Sequence, residues 1–129
     1  MEKKRRDTRA MEAFLRYARY GFARREEDVF AIYDAICGCC GRGAEARRML
    51  AVCETLRFLR TLGRTDAERA VRAVYFFGRG RRLRRNEISL RVRRFADEYY
   101  LDDRTVYRHL ADAKRLFLQL LDSYAGEEG

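Results

Sequence analysis

The chain contains no proline, and most of its nine glycines fall between stretches whose apolar residues recur at steps of three and four. Proline and glycine are the residues that interrupt or end helices, so their scarcity inside periodic stretches points to helices joined by short loops. Hydrophobic residues make up 47% of the 129 positions, enough to build a buried core and too many for a disordered segment. No apolar run approaches the ~20 residues that a membrane span requires. The basic start Met1 to Arg6 leads into an amphipathic stretch and not into an apolar signal core, so a cytoplasmic location is expected.

Six helices are expected, and nothing reads as a strand of more than a few residues. The first carries Met11, Phe14, Leu15, Ala18 and Phe22 on one stripe, with Thr8 as its cap and Gly21 at its end. The second runs from about Glu26 with Val29, Ile32, Tyr33 and Ile36, and ends in the glycines and cysteines of 38–43. The third uses Met49, Val52, Cys53, Leu56 and Leu59 and stops near Gly63. Thr65, Asp66, Ala67 and Glu68 form the pattern of a capping box, in which the threonine hydroxyl and the glutamate each satisfy the other's amide. The fourth helix follows, with Ala67, Ala70, Val71, Val74 and Phe77 inward, and Gly78-Arg79-Gly80 ends it. The fifth presents Val92, Phe95, Ala96 and Tyr99, and the sixth Val106, Leu110, Ala113, Phe117, Leu120 and Tyr124. The fold class is therefore all-α. A boundary near Gly63-Arg64 divides an N-terminal helical layer, 1–63, suited to dimerisation or partner contact, from a C-terminal module, 64–125. Residues 126–129 are expected to form a disordered tail.

Charge narrows the function. The formal net charge is +9, and 26 of the 29 basic residues are arginine, the exceptions being Lys3, Lys4 and Lys114. Between Arg79 and Arg94 eight arginines face a single acid, Glu87. So dense a cluster repels itself unless a polyanion is near, and the planar guanidinium fork suits phosphate. Arg79, Arg81, Arg82, Arg84, Arg85, Arg91 and Arg94 are the expected contacts to a nucleic-acid backbone.

A pattern for reading bases follows directly. Two helices that cross closely need a small residue at the crossing, which Ala96 supplies. The second helix must return two apolar residues, one turn apart, to the first, and Val106 and Leu110 do so. Leu101 plugs the turn, and Asp102 or Asp103 caps the second helix. The outward face is then Asp103, Arg104, Tyr107, Arg108 and Ala111, of which Asp103, Arg104, Tyr107 and Arg108 are the expected base contacts in a major groove. Thr105, Lys114 and Arg115 are placed for the backbone.

This stretch resembles the fourth conserved region of bacterial sigma factors, and the small phage and prophage regulators that use the same module, the ArpU-like proteins among them. The resemblance is carried by Ala96, Thr105-Val106, Leu110 and Ala113-Lys114-Arg115-Leu116, over about residues 65–121. It implies a sequence-specific, DNA-binding transcriptional regulator with double-stranded DNA as partner, and RNA polymerase and a second copy of the chain as further candidates. Two features depart from that pattern. Tyr100 stands where the turn usually has glycine, which points to a different turn geometry, and the connection from Tyr75 to Ala96 is longer and arginine-rich. Two other readings stay open: a protein-interaction module acting on RNA polymerase or another regulator, and a phage packaging-site DNA-binding protein.

No enzyme is expected. His109 is the only histidine, and it sits beside the core face of the sixth helix with no nucleophile or carboxylate set around it. Cys37 and Cys40 have the two-residue spacing of a zinc chelate, but Cys39 and Cys53 provide no second short chelating pair. Reduced thiols, without metal or cofactor, are the simpler expectation.

Overall fold

A computed structural model describes residues 2–22, 43–76 and 86–127. Among them every regular element is a helix: α1 Glu2–Arg19, α2 Gly43–Thr61, α3 Thr65–Val74, α4 Glu87–Glu98 and α5 Asp103–Glu127. The expected second helix from Glu26, Cys37, Cys39, Cys40, Phe77 and the arginines 79, 81, 82, 84 and 85 lie outside the described residues. No described helix is long and apolar enough to cross a membrane.

The helices bury most of the stripes that their spacing predicts. In α1 the buried face is turned toward Ala10, Ala13 and Tyr17, leaving the expected Met11 and Leu15 partly buried, and Leu120 and Tyr124 of α5 are likewise only partly buried. Ala10, Ala13, Phe14 and Tyr17 of α1, Met49, Val52, Leu56 and Leu59 of α2, and Ala67, Ala70, Val71 and Val74 of α3 are all buried. So are Val92, Phe95 and Ala96 of α4 and Val106, Leu110, Ala113 and Phe117 of α5. Together they form one core cluster that runs across Gly63-Arg64. The long α5 lies against α1, α2, α3 and α4, which makes it the spine of the fold. Phe14 of α1 stacks on Tyr75 at 5.7 Å and meets Phe117 of α5 at 5.5 Å. Arg16 of α1 donates to both carboxylate oxygens of Glu45 at the start of α2, at 3.1 and 3.0 Å.

The helix ends differ from expectation in two places. Thr8 does not cap α1, because that helix already begins at Glu2. The capping box is not formed either. Thr65 is the first helical residue, Arg64 occupies the cap position, and no side chain closes it. The Glu68 amide instead donates to the Arg64 carbonyl at 3.2 Å. The Glu68 carboxylate is drawn away to Arg60, whose Nη2 donates at 2.6 Å, and to Arg72, whose Nε donates at 3.1 Å. Two charge-assisted partners outweigh one exposed amide. At the other end, α5 runs through Glu127, into the stretch expected as a tail.

Both tight turns use a left-handed residue. After α2, Gly63 has φ +75, the Arg64 amide donates to Leu59 O at 2.7 Å, and the Gly63 amide donates to Arg60 O at 3.2 Å. That pair of bonds is a Schellman ending, for which glycine is the usual residue. After α4 the same position falls on Tyr100, with φ +58, and the Leu101 amide donates to Ala96 O at 2.8 Å. The turn therefore keeps the geometry that glycine would favour, although the tyrosine suggested a different one. Tyr100 is 96% exposed, so its ring contributes no burial against that backbone cost. Tyr100→Gly should raise stability by about 0.5–1 kcal/mol, the left-handed penalty less the added chain entropy of glycine. A denaturant titration that showed no gain would mean the turn is relaxed with tyrosine in it.

Candidate nucleic-acid interface

The turn between α4 and α5 sets the position of one exposed helix face. Ala96 is 1% exposed, and opposite it Val106 and Leu110 are equally buried. A larger side chain at 96 would push the helices apart. Leu101 is partly buried against the core and closes the turn from below. Asp102 caps α5: its Oδ1 accepts from the Thr105 amide at 2.7 Å. That bond, a second from the Thr105 hydroxyl, and the fields of Arg104 and Arg108 hold the Asp102 carboxyl below its usual pKa. The start of α5 is thus fixed by a charged cap, with Arg104 and Arg108 beside it.

With 106, 110, 113 and 117 inward, the exposed residues of α5 between 104 and 119 are Arg104, Tyr107, Arg108, Ala111, Arg115 and Gln119, none of them an acid, and the next exposed residues are Asp122 and Ser123. The stripe from Arg104 to Arg115 is about 16 Å long, at 1.5 Å of rise per residue. Arg93 and Arg94 are exposed on the neighbouring α4. Asp103 is half-exposed, and its Oδ2 lies 3.9 Å from Arg93 Nε, an ion pair that joins the two helices.

The expected base contacts therefore share one face: Arg104, Tyr107 and Arg108 are exposed, with Asp103 at its edge. The expected backbone contacts divide. Arg94 and Arg115 are exposed, and Arg115 pairs with Asp112 at 3.5 Å. Arg91 is not a surface contact. Its guanidinium is buried, donating to the Val74 carbonyl at 2.7 Å and to Glu87 at 2.9 Å. It satisfies a carbonyl at the end of α3 that has no partner within its own helix. Thr105 is committed to the cap, and Lys114 lies over the Tyr75 ring at 5.7 Å, turned toward the core. The arginines 79, 81, 82, 84 and 85 lie outside the described residues.

A cluster that the sequence did not suggest holds the face in place. Arg64, in the α2–α3 turn, donates to Asp112 Oδ2 at 3.0 Å and lies 3.3 Å from His109 Nδ1. Its Nε donates to Asp66 Oδ1 at 3.2 Å, and His109 Nε2 is 3.5 Å from Asp66 Oδ2. A guanidinium only donates, so the Arg64–His109 contact is a hydrogen bond in the tautomer whose Nδ1 is unprotonated. Burial works to raise the Asp66 pKa, but the Ala67 amide, Arg64 and His109 together hold it down. His109 is thus a strut between α3 and α5.

Carboxylates in these clusters make stability depend on pH. Burial raises the Glu68 pKa, yet Arg60 and Arg72 outweigh it and leave the group below its usual 4.5. A depressed folded pKa stabilises the fold above the unfolded value and loses that contribution as pH falls through the folded one. Urea midpoints measured downward from pH 6 should hold until about 4.5 and then fall. Glu68→Gln should be less stable at pH 6 and should show a flatter acid limb; an unchanged limb would remove Glu68 from the cause. Compared with known protein families, with characterised proteins and with solved structures, the chain shows no match.

Proposed function

We propose that the chain is a DNA-binding transcriptional regulator of phage or prophage type, in which α4, its turn and α5 act as a helix-turn-helix and α5 enters the major groove. One observation carries the reading: an acid-free exposed stripe of Arg104, Tyr107, Arg108, Ala111 and Arg115 on a helix whose opposite face is locked in the core. The stripe has the charge that phosphate attracts, and α5 is narrow enough for the groove. Exposed Arg93 and Arg94 on α4 flank it for backbone contact, and Ala111 leaves room for close approach. The Asp102 cap, the Ala96 crossing and the Arg64 strut hold the stripe rigid, so that little ordering cost accompanies binding. The regulatory role itself rests on the resemblance of Ala96, Thr105-Val106, Leu110 and Ala113 to 116 to sigma-type modules.

Anisotropy titrations with labelled random-sequence duplex at 50 and 200 mM salt test the reading. The affinity should fall steeply, since each neutralised phosphate adds about −0.9 to the slope of log K against log salt. Arg104→Ala with Arg108→Ala should weaken binding and reduce that slope, with the helical content unchanged. Binding indifferent to salt, or a double variant equal to the parent, would remove α5 from the interface.

A further inference from the structure

The spacing on the exposed stripe limits which sequence α5 can read, an inference that rests on the groove-reading role just proposed. Arg104 and Arg108 are four residues apart on one face, so their Cα atoms are separated by about 6 Å along the helix. Successive base pairs are about 3.4 Å apart, and 6 Å is therefore close to two steps. Both side chains are exposed, and the acids around them are engaged elsewhere: Asp112 by Arg64 and Arg115, Asp103 by Arg93, and Asp102 by the Thr105 amide. An unpaired guanidinium in the groove makes its best contact with the O6 and N7 acceptors of guanine, as a fork. Tyr107 lies between them on the same face, 45% exposed. Its ring is an apolar surface with one hydroxyl, which suits a thymine methyl or an amine edge and selects weakly. The exposed residues of this stripe as far as Arg115 include no Asn or Gln, the side chains that read adenine with two bonds.

We infer that the chain recognises a three-base-pair core in duplex DNA whose two outer pairs are G·C, read by Arg104 and Arg108, with a weakly selected pair between them under Tyr107. The Arg104 end is the stricter one. Asp103 precedes it on the first turn of α5, with its carboxylate only half covered and Arg93 3.9 Å away. A carboxylate there accepts from the cytosine N4 amine and repels the O4 of thymine, so Asp103 and Arg104 together distinguish both halves of that pair.

The test is selection of bound fragments from a random duplex pool by the full chain, followed by sequencing, with single variants run in parallel. The parent should enrich two G·C pairs separated by one variable pair. Arg104→Ala should lose preference at one outer pair and Arg108→Ala at the other, each by about 10- to 100-fold, the usual weight of a bidentate contact. Asp103→Asn should relax only the Arg104 end. Circular dichroism of each variant separates a lost contact from a lost fold. An enriched A·T core, or both arginine variants relaxing the same pair, would overturn this inference and leave DNA binding intact. A pool with no retained duplex at low salt would overturn the DNA-binding reading and this inference with it.

Discussion

Phe117→Ala is expected to destabilise the protein by about 3–5 kcal/mol, because a large ring is removed from a site that cannot collapse around the gap. Phe117 is 1% exposed and lies 5.5 Å from Phe14, which also stacks on Tyr75 at an interplanar angle of 3°. One substitution therefore loosens α1, the end of α3 and α5 together. Against a total of about 5–15 kcal/mol for a domain, that is a large fraction of the stability. The melting temperature should fall by on the order of 10–20 °C. The form of the transition is as informative as its position. If the cluster is one core, far-UV circular dichroism and tyrosine fluorescence of the variant must still report a single, coincident unfolding step. Two separated steps, or a loss under about 1 kcal/mol, would show instead that residues before and after Gly63 pack independently.

Phe117 itself was legible in the sequence, as were most core positions, because a helix that buries one stripe shows it every three or four residues; Ala10, Ala13, Tyr17 and Tyr75 were not. Met49, Val52, Leu56 and Leu59 of α2 and Val106, Leu110, Ala113 and Phe117 of α5 are buried where their spacing places them. Ala96 was equally plain, and the cap was narrowed to Asp102 or Asp103, of which Asp102 does the work, since each acts within a few residues of itself. Helix starts were less so. Thr65 has the residue types of a capping box but sits one position too late, at the first helical residue, and its glutamate had stronger partners on α2 and on its own helix. Tyr99 carries the spacing of a core residue, yet it is 42% exposed and packs on Phe95 from the rim, with ring centroids 4.6 Å apart.

Contacts between distant residues left no trace in local pattern. The Arg64 cluster joins positions 45 and 48 apart in the chain, so neither spacing nor composition could suggest it. Its effect on the candidate interface is direct. Asp112 and His109 flank the arginine stripe on α5, and by holding both against α3, Arg64 leaves the outward face to Arg104, Arg108 and Arg115. A chain with this many arginines uses some of them to build the surface on which others are displayed.

Arg91 is the clearest case, and replacing it should have the second-largest effect. The arginine cluster suggested a phosphate contact, but Ile88, Arg91, Val92 and Phe95 are spaced as one helical stripe, and that periodicity outweighs the charge pattern. The side chain is 9% exposed, with Nη1 donating to the Val74 carbonyl and Nη2 to Glu87. Arg91→Ala should cost about 2–4 kcal/mol, since it strands a carbonyl at the buried end of α3 and leaves Glu87 without its partner. Arg91→Lys should recover only part of that, because an ammonium is a single point of donation where the guanidinium reaches two acceptors along diverging directions. Arg94→Ala supplies the contrast. Arg94 is exposed on α4, so its loss should change stability by no more than about 0.5 kcal/mol. The two arginines should then exchange rank in duplex binding: Arg94→Ala lowers the salt slope by about one phosphate, and Arg91→Lys, still folded, leaves it unchanged. If Arg91→Ala were as stable as Arg94→Ala, the guanidinium would not be the link between α3 and α4, and its place among the phosphate contacts would have to be restored.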